Sequence, residues 1–182
     1  ANYDLNLIDS LSQYPIWEVY GKLTSDLAGG GRASFSTGGV SKTLLKNYIA
    51  ALRKAGIDFN YLLNSACLGG RQWDRRWQRK LTRLLDTLTD WGVKRITVST
   101  ALLFKMIRAR YPHFSLKVGI FAQVDTAERA RFWEDLGADE ITLESFSINR
   151  NFDRLEKIRR AVRCSLQLIV NHPCLPNCPM QI

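Results

Sequence analysis

The sequence is short of most features that would take it away from a compact soluble domain. Its 5 prolines and 12 glycines in 182 residues are too few for a collagenous or low-complexity chain. Four cysteines, at positions 67, 164, 174 and 178, are too few and too unevenly placed to staple a small secreted domain. No apolar run approaches the roughly 18 residues of a membrane helix. The N-terminus lacks the basic-then-apolar layout of a secretory leader. The expectation is one soluble, cytoplasmic domain over residues 1–182. Several fingerprints are missing as well. No Gly-x-Gly-x-x-Gly follows a strand, and there is neither a His-Glu-x-x-His nor a Gly-x-Ser-x-Gly, which removes the commonest dinucleotide, zinc-protease and serine-hydrolase signatures.

Acidic residues are also in deficit. Seventeen Asp and Glu face 26 Lys and Arg, a net charge of +9, and the excess is spread along the chain rather than gathered in a tail. Such a balance favours an anionic partner: phosphate, RNA or an acidic metabolite.

What the chain does have is periodicity, with 46% hydrophobic residues arranged in alternating patterns. Ser41 is placed to cap a helix whose apolar face is Leu44, Leu45, Tyr48, Ile49 and Leu52, stopped by Gly56. A second helical face runs Trp73, Trp77, Leu81, Leu84, Leu85, Leu88 and Trp91, ended by Gly92. Leu102, Leu103, Met106 and Ile107 mark a third, broken at Tyr111-Pro112. Asp125 and Glu128 have capping-box spacing at the start of a fourth, closed by Gly137. Phe152, Leu155, Ile158 and Val162 mark a fifth, and Leu5–Leu11 reads as helical. Between them lie β-rich runs at 16–21, 58–64, 93–99, 116–121, 140–145 and 165–170.

Six strands separated by helices call for a parallel sheet with right-handed crossovers. The fold class is therefore α/β, and the repeated entry into strands through a Gly after a helix points to a TIM-type (β/α) barrel. That barrel is incomplete in this chain, because its first and last strands are not evident. A second copy or a partner chain is then expected to close the open edges.

In such a barrel, functional groups collect where strands end. Those positions hold Tyr20 and the Gly29–Arg32 loop, then Asn64, Cys67 and Arg71, then Ser99 and Thr100, Gln123, Glu144 and Ser145, and the run Asn171-His172-Pro173-Cys174. Gly29–Arg32 has a glycine content that can wrap a phosphate, although no Lys-Ser or Lys-Thr follows at P-loop spacing. Cys174 and Cys178, separated by three residues in a proline-stiffened stretch, can ligate one soft metal centre from a single loop. They are only two ligands of the four that zinc or a four-iron cluster takes, and the third cysteine of a radical-SAM triplet is replaced by Gln181.

The order of units and several short runs resemble the collagenase-like peptidases of unknown catalytic type, family U-thirty-two. There, a strand leads into a His-Gly-Ala-Leu-Cys segment carrying the first cluster cysteines; the matching run here is Val170-Asn171-His172-Pro173-Cys174-Leu175-Pro176-Asn177-Cys178. Tyr61-Leu62-Leu63-Asn64 is similar to the family's Thr-Leu-Asn strand, and Phe121-Ala122-Gln123-Val124 to its Ser-Thr-Gln-Leu strand. The family's Arg-Glu-Leu-Ser pattern stands as Leu143-Glu144-Ser145-Phe146-Ser147, without the arginine.

The resemblance implies an iron-sulfur (4Fe-4S) enzyme performing oxygen-independent hydroxylation of RNA bases or quinone rings. Cys174 and Cys178 would hold half the cluster, and Asn64, Gln123, Glu144 and His172 would line the reaction cavity. Arg32, Arg71 and Tyr20 would bind an anionic or ring substrate. Two other classes suit the same residues. A thiol or metal peptidase would use Cys67 or His172. An RNA-binding or assembly domain without catalysis would use the basic stripe Arg75, Arg76, Arg79, Lys80 and Arg83.

Overall fold

The computed structural model describes residues 2–29 and 39–170. Its elements run α1 (Asn6–Leu11), β1 (Glu18–Gly21), α2 (Lys42–Lys54), β2 (Asp58–Leu63), α3 (Arg75–Asp90), β3 (Arg95–Val98), α4 (Ala101–Arg110), β4 (Ser115–Val118), α5 (Ala127–Asp135), β5 (Glu140–Thr142), α6 (Phe152–Ala161) and β6 (Ser165–Gln167). Short 3-10 turns occupy Arg71–Trp73 and Ile120–Ala122. The strands form one sheet in chain order, β1-β2-β3-β4-β5-β6, as expected when each strand is joined to the next through a helix. The pairs β1–β2, β4–β5 and β5–β6 are all parallel. No helix among the described residues is long and apolar enough to cross a membrane.

The chain divides into two compact units. The first is Ala1–Leu63 with Cys67–Ile96; the second is Asn64–Ala66 with Thr97–Ile182. In the first unit, α2 buries Leu45, Tyr48, Ile49 and Leu52, and α3 buries Trp77, Leu81, Leu85 and Leu88. These are the three- and four-residue steps that put side chains on one helical face. Strand β2 adds Phe59, Tyr61 and Leu63 to the core, and burial of each large apolar side chain is worth about 1.5–3 kcal/mol. The Ser41 hydroxyl accepts from the Leu44 amide, so the expected cap forms.

Past β1 the first unit is tied by a buried carboxylate. Asp26 Oδ1 lies 2.9 Å from Lys22 Nζ and accepts from the amides of Ala28 and Gly29, both at 3.1 Å. Its Oδ2 accepts from the Tyr61 hydroxyl at 3.0 Å. Trp77 Nε1 donates to the Leu27 carbonyl at 3.1 Å, and the Val40 amide donates to the Thr24 hydroxyl at 2.8 Å. The chain is thus pinned on both sides of residues 30–38.

The second unit buries Leu103, Phe104 and Ile107 of α4 with Leu116, Val118, Ile141 and Leu143. Phe104 meets Trp133 edge-on at 5.5 Å. Arg108 binds the carbonyls of Phe114 and Gly137 at 3.0 and 2.7 Å and the Asp139 carboxylate at 2.6 Å, clamping the turns that enter β4 and β5. Inside the sheet, Lys117 and Glu140 form a 3.1 Å ion pair between register partners, with the Lys117 side chain only 5% exposed.

Several local expectations are corrected. Trp73 is not on the α3 face: Asp74 accepts from the Arg76 amide, starts the helix at Arg75 and leaves Trp73 in the preceding 3-10 turn, exposed. The α5 cap is Thr126, which accepts from Arg129 N, whereas Asp125 pairs with the Arg129 guanidinium at 2.8 Å. Strand β4 stops at Val118 because the chain turns through Ile120–Ala122. Strands β5 and β6 also end earlier than their apolar runs, at Thr142 and Gln167.

Candidate functional site

Within the second unit, residues that follow β2, β3 and β4 meet at one point. Asn64 follows β2, Ser99 and Thr100 follow β3, and Gly119 follows β4. A Cβ built on Gly119 would stand 2.5 Å from Ser99 Oγ, 2.9 Å from Thr97 Cγ2 and 3.2 Å from Asn64 Cβ. Gly119 has φ −82 and ψ 161, an ordinary extended conformation, so glycine is needed there for space and not for backbone freedom.

This cluster carries polar atoms without partners. Asn64 is 8% exposed and Ser99 6% exposed, and Asn64 Oδ1, Ser99 Oγ and Thr100 Oγ1 are all buried with no hydrogen-bond partner. Thr100 is the N-cap of α4 but its hydroxyl does not cap the helix amides. Leaving a buried polar atom unpaired costs about 1–3 kcal/mol. Three such atoms follow β2 and β3, two of them on the side chains that meet at Gly119.

Gln123 and Glu144 lie at the next strand ends. Val124 bridges Leu143 in parallel, and the Glu144 amide donates to the Val124 carbonyl at 2.9 Å. Gln123 is held at φ +50 and ψ +51, a left-handed conformation uncommon for a residue with a side chain. Its carbonyl is fixed by Arg129 Nη1 at 2.9 Å. The Glu144 carboxylate accepts from the Phe146 amide and from the amide and hydroxyl of Ser147. Burial pushes its pKa up, but the Ser147 hydroxyl and the Phe146 and Ser147 amides outweigh this, and the net shift is downward. Glu144 is therefore an ionised anchor of the turn that follows β5.

The remaining expected residues are placed as follows. Tyr20 lies within β1 in the first unit, next to its last residue Gly21, and is exposed. Arg71 opens the 3-10 turn and is exposed. The Gly29 amide is already spent on Asp26, so it is not available to cradle a phosphate. Arg32, His172, Cys174 and Cys178 lie outside the described residues, as do the other residues of the Asn171–Cys178 run. Cys67 is exposed, and its sulfur accepts from the Gly69 amide. Burial, followed by the nearby Glu134 carboxylate, pushes the Cys164 thiol up to about 11. Among the described residues, no three His, Cys, Asp or Glu side chains are grouped to hold a metal ion.

Sequence reasoning put Ser99 and Thr100 on the rim without a role, and it missed Gly119 altogether. The available signal was a glycine in a β-rich run, which marks a close approach of another chain segment.

A sequence model of peptidase family U32 matches residues 33–172. The uncharacterized protease MJ1657 of Methanocaldococcus jannaschii is 32% identical over 130 residues, which make up 71% of this chain and 38% of that protein. This chain thus spans well under half the length of that curated relative. The solved structure of the U32 peptidase Mk0906 matches with a TM-score of 0.72 over 90% of this chain and 64% of its own, at 22% identity. That likeness shows a shared fold, and the two sequence matches settle membership: this chain belongs to peptidase family U32.

Proposed function

We propose that the strand ends of the second unit form the substrate-binding part of a U32 active site on a (β/α) barrel, and that the reaction is iron-sulfur-dependent, oxygen-independent hydroxylation. The observation that carries the placement is the convergence of Asn64, Ser99 and Gly119, with two buried oxygens lacking partners. Hydroxylation is read from the likeness of the Asn171–Cys178 run to the family's cluster-bearing segment; the thiol-peptidase alternative rests on Cys67, which is exposed and whose sulfur accepts from the Gly69 amide.

The described residues do not complete a cluster site. Cys174 and Cys178 would supply two thiolates, the raised Cys164 thiol is a poor third, and Cys67 is in no group of three His, Cys, Asp or Glu side chains among the described residues. When bound, such a cluster supplies electron transfer. The chain's own contribution is to bind and orient substrate at Asn64, Ser99 and Gln123.

Anaerobic preparation of the protein in its full natural length, with iron and sulfide quantified, tests the assignment. About four of each per chain are expected, falling to background in Cys174→Ala. Full iron content in that variant, or a colourless and iron-free native protein, removes the cluster and returns the family's catalogued peptide cleavage to first place.

One observation favours a second role for the first unit. Arg75, Arg76, Arg79, Lys80 and Arg83 are all exposed, and none is in an ion pair among the described residues. Phosphates of an RNA substrate would be held along this stripe. Affinity for RNA is then expected to fall steeply with salt, and neutralising Arg75, Arg79 and Arg83 together should flatten that slope by roughly 2–3. An unchanged slope eliminates the stripe as the contact.

A further inference from the structure

We infer that the exposed indole of Trp73 stacks on an unpaired base of an RNA strand whose phosphates lie along α3. Trp73 is 72% exposed. Among the described residues its ring has no aromatic or cationic partner and its indole N–H no acceptor. The other tryptophans of known placement differ in this respect: Trp77 is buried and donates to the Leu27 carbonyl, and exposed Trp17 lies under the Arg95 guanidinium at 5.3 Å. Tryptophan is highly buried on average, so a ring left this open has no role in the core.

The turn that carries the ring is fixed. Arg71 N donates to the Leu68 carbonyl and Trp73 N to the Gly70 carbonyl, both at 3.2 Å, and Asp74 N donates to the Arg71 carbonyl at 2.9 Å. Gln78 Nε2 donates to the Gln72 carbonyl at 2.8 Å, tying the turn to α3. A ring on a fixed backbone loses little freedom when a ligand settles on it.

Charge selects the strand. Between residues 71 and 83 the exposed cations Arg71, Arg75, Arg76, Arg79, Lys80 and Arg83 face one carboxylate, that of Asp74, which caps the Arg76 amide. The first turn of α3 holds no acidic residue. Cations at that end weaken a helix, so Arg75 and Arg76 are not there for its stability. Arg75, Arg79 and Arg83 recur at steps of about 6 Å along the axis, a row of forked donors suited to phosphate oxygens. Chain length alone keeps the Trp73 Cα within about 7 Å of the Arg71 and Arg75 Cα atoms.

The surroundings of the ring favour a nucleobase over an acidic protein. Between Tyr20 and Phe132, Trp73 is the only exposed large hydrophobic side chain among the described residues. A protein partner buries an apolar core within a polar rim, which a single ring among arginines does not supply. A base offers one flat face to the indole while its own backbone supplies the phosphates. In a duplex both faces of a base are covered by its neighbours, so the fit is to an unpaired stretch.

Stacking at Trp73 rests on the phosphate contacts proposed above for the stripe, and one titration separates the two. The whole chain is titrated into fluorescently labelled oligouridylate, into an RNA duplex of the same length, and into polyglutamate, each over a range of salt concentrations. Trp73→Ala, a surface change that should leave the fold intact, should weaken oligouridylate by roughly 5- to 150-fold without altering the salt slope. Trp73→Phe should stay within about threefold of the native chain, and duplex affinity should not respond to either substitution. Salt-dependent binding that is undiminished in Trp73→Ala would overturn the platform and leave the stripe standing. Absence of salt-dependent binding to either RNA would remove the stripe and the platform together. Polyglutamate binding as tight as that of oligouridylate, and equally weakened in Trp73→Ala, would overturn the assignment in favour of an acidic protein.

Discussion

Replacing Asp26 by alanine should cost about 3–5 kcal/mol of folding stability, read as a lowered urea midpoint with an unchanged slope. The size follows from what the substitution strands. The Asp26 side chain is 2% exposed and that of Lys22 13% exposed. Without the carboxylate, a largely buried ammonium loses its counter-ion, and the amides of Ala28 and Gly29 lose their acceptor. The Tyr61 hydroxyl also loses the group it donates to. Burial and the neighbouring Asp26 charge both hold Tyr61 well above its ordinary pKa, so it stays a neutral donor and cannot take the carboxylate's place. Asp26→Asn keeps an acceptor oxygen and loses the charge, and should cost roughly half as much. A loss under about 1 kcal/mol for Asp26→Ala would show that the stem before residue 30 is held by Trp77 and Leu27 alone.

Much of the fold was legible because it rests on spacing. The α2 stripe from Leu45 to Leu52 and the α3 stripe from Trp77 to Leu88 are buried as their periodicity requires. The strand order followed from the alternation of helices and strands. The errors arose where two neighbouring residues compete for one role. Asp125 and Thr126 can both cap α5, and Asp125 is instead taken by Arg129. Trp73 has the spacing of α3, but Asp74 starts the helix one residue beyond it. No pattern in the sequence reveals such outcomes, because they depend on which partner each side chain meets.

Buried charges were the harder case. Lys117 sits in an apolar-looking run and is buried only because Glu140 is its register partner on β5. Asp26 reads as a loop residue, yet four groups converge on it. The candidate site shows the same divide. Asn64 and Gln123 were legible as polar residues at strand ends. The unspent oxygens of Ser99 and Thr100, and the tight approach over Gly119, come from three separate strand ends meeting.

That meeting makes Gly119 the most sensitive single position of the site. Gly119→Ala should destabilise the protein by about 2–3 kcal/mol, as overpacking does in a region that cannot yield. The added methyl would stand 2.5 Å from Ser99 Oγ and 2.9 Å from Thr97 Cγ2, and the hydrogen bonds of Gly119 N and O keep the backbone from retreating. Ser99 is the neighbour that must move, so the damage should be coupled to it. In Ser99→Ala the closest contact is gone, and the Gly119→Ala cost measured in that background should fall by about 1 kcal/mol. The remaining cost belongs to Thr97 and Asn64. Strict additivity in this double-mutant cycle would show that Ser99 does not fill the space left by the missing side chain. Coupling of the expected sign would tie the packing of Ser99, Thr97 and Asn64 to the glycine that makes room for them.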